Sequence, residues 1–196
     1  TSANAAGNLT FKDNVTIAAG DTATTLNNAV VNLDGLSFES AGNVTLGNAA
    51  TDQVNLTTGA VTLKTTGTGT VTAEAKVDGA QNLTLDTAGA AQFKVAVGSV
   101  TPIGTGTGAA LTINSTGSTT FDSTLATASG ITSANAAGNL TFKDNVTIAA
   151  GDTATTLNNA VVNLDGLSFE SAGNVTLGNA ATDQVNLTTG AVTLKT

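Results

Sequence analysis

The sequence predicts an all-β chain wound as a parallel β-solenoid, or β-helix, and three observations carry that expectation. Residues Thr1 to Thr65 return without one substitution as Thr132 to Thr196. Short runs in which apolar residues alternate with Thr recur along the whole chain, separated by turn pairs. The filling is thin: the chain is 40% hydrophobic, yet it has 6 Phe and no Trp, Tyr, Met or Cys.

The repeat comes first, because exact periodicity points to stacked, quasi-one-dimensional architecture. Residues 1–131 form one complete unit, closed by Ile131, and residues 132–196 form a partial second unit identical to 1–65. One continuous solenoid through both is expected. Both ends fall inside repeats, so the chain is expected to be a window on a longer protein.

Next come the elements. The runs begin with Asn8-Leu9-Thr10-Phe11, Asn14-Val15-Thr16-Ile17, Asn43-Val44-Thr45-Leu46 and Val54-Asn55-Leu56. They continue through Val61-Thr62-Leu63, Val71-Thr72-Ala73, Leu83-Thr84-Leu85 and Leu111-Thr112-Ile113, with Thr120-Phe121 weaker. Period-two alternation with β-branched residues is the mark of a half-buried strand. Ala-Gly, Asp-Gly, Gly-Asn and Thr-Gly pairs between the runs supply turn chemistry. Asp21 to Leu33 comes closest to a helical stripe, but Thr22, Thr24, Thr25, Val30 and Val31 are poor helix formers.

Coil length follows from the small or polar residue ahead of each run. The markers are Gly7, Gly42, Gly59 and Gln81, then Ala109, Ser118 and Gly138. Their spacings suggest coils of roughly 17 to 22 residues, with Gly7 to Gly42 as a double coil, and so six or seven coils and about 30 Å per unit at the usual strand spacing. Small aliphatics suit such a narrow interior, with Phe38, Phe93 and Phe121 in the core. Asn or Thr at equivalent turn positions can then form ladders between coils. The competing architecture is a row of immunoglobulin-like β-sandwiches, one per unit. It usually wants a bulky aromatic centre, and the only proline available to mark a linker is Pro102.

Composition narrows function by exclusion. Only 10% of residues are charged, and the net charge of −8 comes from 14 acidic residues against 6 Lys, with no Arg and no His. Nucleic acid needs clustered cations, so it is not an expected partner. An anionic membrane surface is excluded on the same ground. No apolar run reaches the roughly 20 residues of a membrane span.

Catalysis is not expected either, and no catalytic, cofactor-binding or metal-ligating residue is assigned. Without His the Ser-His-Asp and Cys-His arrangements and most zinc sites cannot be built. A glycosidase needs two carboxylates close together. Here Asp13, Asp21, Asp34, Glu39, Asp52, Glu74, Asp78, Asp86 and Asp122 are scattered, mostly in turns. Calcium is not expected as a cofactor; Asp34, Asp52 and Asp78 are the turn carboxylates with which adjacent coils would bind it weakly. The segments Thr65 to Thr70 and Gly104 to Gly108 lack the Lys and helix of a phosphate loop. Thr66, Thr68, Thr70 and Thr72 would make a flat hydroxyl array, of the ice-binding kind, only if coils repeated them. Asn8, Asn14, Asn43, Asn55, Asn82 and Asn114 stand in glycosylation sequons, but Asn making the turn, with Thr facing solvent after it, accounts for the pattern.

The run Val77-Asp78-Gly79-Ala80-Gln81-Asn82-Leu83-Thr84-Leu85-Asp86 with Phe93, and Ala137-Gly138-Asn139-Leu140-Thr141-Phe142 with Asn145-Val146-Thr147-Ile148, resemble a known kind of repeat. They are similar to the strand repeats of giant bacterial surface proteins, the filamentous-haemagglutinin-like and autotransporter-like adhesins. The resemblance implies a right-handed β-helix, export to the cell surface and a role as adhesin stalk or surface fibre. Neighbouring units and like chains are then the expected partners. Alternatives are a repeated carbohydrate- or surface-binding module acting by avidity, and a subunit of an S-layer or extracellular filament.

Overall fold

The computed structural model of the chain describes residues 1–2, 6–20, 23–134, 138–151 and 153–196. Asp21, Thr22 and Ala137 lie outside the described residues. Among those described, every regular element is a strand and every strand pairs in parallel with the strand one coil away. The chain is a β-solenoid with three faces. Uniformly parallel stacking leaves no place for the antiparallel sheets of a sandwich. The Asp21 to Leu33 stretch contributes the strands Ala23–Leu26 and Val30–Asp34.

The first face carries Asn8–Phe11, Val30–Asp34, Gln53–Thr57 and Lys76–Asp78, then Leu125–Thr127, Val146–Ile148, Ser168–Ser171 and Thr193–Lys195. Val97 joins the two sets by single bridges to Val77 and Leu125. The second face stacks Val15–Ile17, Ser37–Ser40, Val61–Thr65, Leu83–Thr87, Leu111–Ile113, Ile131–Ser133, Thr155–Leu157 and Val175–Leu177. The third stacks Ala23–Leu26, Asn43–Leu46, Val71–Ala73, Ala91–Phe93, Thr119–Phe121, Asn139–Phe142, Val161–Leu164 and Gln184–Leu187.

Coils start within the length that the marker spacings suggest and extend well beyond it. One turn carries Ala23 to Asn43, Asn8 to Val30 or, at its longest, Ala91 to Thr119. The markers misled because they mix faces. Gly42 precedes a third-face strand and Gly59 a second-face strand, so the gap between them spans only two thirds of a turn. Gly59 to Gln81 is a full turn on one face. A unit comprises sixteen strands, from Asn8–Phe11 to Ile131–Ser133, plus the segment at Val97. Seventeen segments at three per turn make five and two-thirds turns, about 27 Å at the usual strand spacing.

Register turns the alternation into columns. In the third-face column Leu46, Ala73, Phe93, Phe121, Phe142 and Leu164 all point inward. The rings of Phe93, Phe121 and Phe142 stack face to face, with centroids 5.0 and 5.5 Å apart. Phe38, Phe93 and Phe121 are core, as expected. The interior is one side chain deep, and Val, Leu and Ile from three faces fill it.

Candidate functional site

Three surface features stand out from the regular coil. The first is an excursion on the first face. Between Gly98 and Gly104 the backbone leaves the wall and returns, with Ile103 bridging to Thr127. Gly98 has φ of +74°, and a Cβ there would collide with the carbonyl oxygen of Ala126, so the exit requires glycine. Asp78 Oδ1 accepts N–H bonds from Val100 at 2.8 Å and Thr101 at 3.3 Å. The excursion thereby covers Asp78, which is 2% exposed although its strand position faces outward. Asn82 holds the returning limb, accepting from Thr105 N–H at 3.0 Å and donating to the Thr107 carbonyl at 3.1 Å. At the tip Val100 is 74% exposed.

The second feature is a set of outward columns. Thr62, Thr84, Thr112, Thr132, Thr156 and Thr176 occupy one register position on six successive coils of the second face. Thr66, Thr68 and Thr70 do not belong to it; they lie between strands, and only Thr72 sits on one. The hydroxyl column thus runs along the axis, and uneven coil lengths hide it in the sequence. Asparagine ladders form within strands as well as at their starts. Asn32 Nδ2 donates to Thr10 Oγ1 at 3.0 Å, and Asn55 Nδ2 donates to Asn32 Oδ1 at 3.0 Å. Where strands begin, the sequon residues Asn14 and Asn43 accept the backbone N–H of Ser37 and Thr70 on the next coil.

The third feature is a set of ion pairs between adjacent coils, spread over the three faces: Lys64–Glu39, Lys94–Glu74, Lys143–Asp122 and Lys195–Glu170, at 2.6 to 3.2 Å. All are on the surface, where such pairs contribute about 0–1 kcal/mol each. Gln92 also donates to Asp122.

The carboxylates singled out in the sequence are engaged separately. Asp34 accepts from the Thr57 hydroxyl, Asp52 from the N–H groups of Asn48 and Ala49, and Asp78 from the excursion. Among the described residues no three acidic side chains converge in a way that would hold a metal ion. Phe169, Val175, Leu177 and Leu194 line an apolar hollow of about 170 Å³ at the last coil. Their copies Phe38, Val44, Leu46 and Leu63 are buried under a following coil, so the hollow is core cross-section. Among the described residues no helix is long and apolar enough to cross a membrane. No protein-family model, curated protein or solved structure matches the chain.

Proposed function

We propose that the chain is a structural segment of a long extracellular fibre or adhesin stalk on a bacterial surface, and performs no catalysis. One observation carries this reading: the stack passes through the boundary between copies, at Ile131, without a break in any face. Ile131 pairs with Leu111, Leu140 with Thr119 and Val146 with Leu125. Strand hydrogen bonds run along the axis, so extension or bending must break whole rows of them together. A rod built this way projects whatever it carries, and its length scales with the number of units. The likeness of its repeats to those of bacterial surface adhesins supports the placement outside the cell. Neighbouring units, or like chains meeting at the open ends of the stack, are the partners it favours.

Immunogold labelling of intact source cells tests the reading. Surface label on fibres that shorten when units are deleted is the expected result; label only after permeabilisation contradicts it. A second reading, a repeated weak binding module for glycans or surfaces, draws support from the pinned excursion with its exposed Val100. Its aromatic platform is missing, since Phe38, Phe93 and Phe121 are buried. Binding of the chain on a glycan array, lost in a Val100→Asp variant, would favour it.

A further inference from the structure

The two identical copies do not lie on the same faces. Asn8–Phe11 belongs to the first face, whereas its copy Asn139–Phe142 belongs to the third. Val15–Ile17 is on the second face and its copy Val146–Ile148 on the first. Ala23–Leu26 is on the third and Thr155–Leu157 on the second. Surface chemistry moves with the strands. The ladder Thr10, Asn32, Asn55 climbs the first face, and its copy Thr141, Asn163, Asn186 climbs the third. The Glu39–Lys64 pair is on the second face and Glu170–Lys195 on the first.

Local geometry is unchanged by the move. Asn8 pairs with Val30 as Asn139 pairs with Val161, and both Asn-to-Thr hydrogen bonds are 3.0 Å. The faces tolerate exchange because each presents the same inward demand. Val54 and Leu56 fill the first, Leu83 and Leu85 the second, and Val44 and Leu46 the third. The shift itself is a remainder: seventeen segments leave each copy one face short of six full turns. The irregular Lys94 to Ala110 stretch fixes that remainder. It serves as a single segment, because Val97 alone bridges to Val77 and Leu125, and Leu111 then stacks on Leu83.

We propose that the unit length is a turning device: each repetition displaces the whole outer surface by one face. A run of units then follows a three-unit screw of seventeen turns, about 80 Å at the usual strand spacing. Features present once per unit, such as the Val100 tip, point in three directions in steps of about 27 Å. No face carries one unit's pattern for longer than one unit, which limits side-by-side pairing of like chains along a flat stripe. The inference goes beyond the stalk reading and stands without it.

The chain has no cysteine, so introduced pairs are the only sites for nitroxide labels. Thr62→Cys with Thr84→Cys labels outward neighbours across an ordinary coil, and Thr84→Cys with Thr112→Cys labels neighbours across the irregular one. Thr120→Cys with Thr141→Cys spans the boundary between copies. Gln92→Cys with Thr112→Cys becomes the close pair only if the irregular stretch fills two segments, the winding that would keep copies in phase. Labels on adjacent strands lie about 5 Å apart, whereas Gln92 and Thr112 stand on different faces, their side chains directed outward away from each other. The expected result is strong dipolar broadening of the electron paramagnetic resonance spectrum for the first three pairs, and little for the fourth. Strong broadening for Gln92 with Thr112 and weak for Thr84 with Thr112 overturns the inference. Weak broadening for Thr84 with Thr112 and for Gln92 with Thr112 overturns the seventeen-segment count, and loss in all pairs overturns the stack itself.

Discussion

Phe121 sits between Phe93 and Phe142 and is 1% exposed, so its ring touches aromatic neighbours above and below. Phe121→Ala is expected to cost about 3–5 kcal/mol, through lost burial and a cavity that a one-side-chain-deep core cannot close. Urea unfolding measures it, and a cost under about 1 kcal/mol contradicts the packing. Two positions away, Thr119 points inward between Ala91 and Leu140, and its hydroxyl is buried without a hydrogen-bond partner. Thr119→Val removes that burden and is expected to stabilise by about 1 kcal/mol; a lowered melting temperature would refute this. Lys143 is a third case. The hydrogen bond to Asp122, then the charge of Asp122, hold its ammonium above the usual lysine range; burial opposes, and Asp165 adds slightly. A raised folded pKa favours the charged native form, so the stabilisation is complete below the ordinary lysine value of about 10.4 and fades as pH rises through the higher folded value. Lys143→Gln is expected to lose stability near neutral pH but not at more alkaline pH, measured as urea midpoints. The side chain is nearly half exposed, so salt should shrink the difference.

At the scale of elements, the ladders test whether faces are interchangeable. Asn32→Ala removes the acceptor of Asn55 and the donor to Thr10, and Asn163→Ala does the same for Asn186 and Thr141. Each is expected to cost about 1 kcal/mol, and the two costs should agree within about 0.5 kcal/mol although the ladders climb different faces. A clear inequality in thermal unfolding would mean that the faces are not equivalent hosts. Strands themselves were legible, because alternation such as Leu83-Thr84-Leu85 fixes both conformation and inward face. What the alternation does not encode is which face a strand joins. Gly42 and Gly59 look like equivalent punctuation yet open strands on the third and second faces, which shortened the expected coil. The threonine column escaped notice for a related reason: the steps from Thr62 to Thr84, Thr84 to Thr112 and Thr112 to Thr132 are all unequal. The longest of them contains the excursion. Its one sequence signal is Pro102 among closely spaced glycines, which marks a departure from the wall but not the Asp78 and Asn82 contacts that pin it.

At the scale of the whole molecule, exact repetition and three interchangeable faces combine into one rod in which copies differ by rotation and not by structure. Parallel hydrogen bonding along the axis gives stiffness, and the fractional turn count distributes the surface around it. Both properties suit a shaft that must project without adhering to its neighbours along a single stripe. The most direct measurement is cryo-electron microscopy of a protein carrying at least three complete units in tandem. The account requires a rod of even width with a layer spacing of about 4.8 Å and a rise of about 27 Å per unit. Separate beads, one per repeat unit and joined by thin linkers, would contradict it.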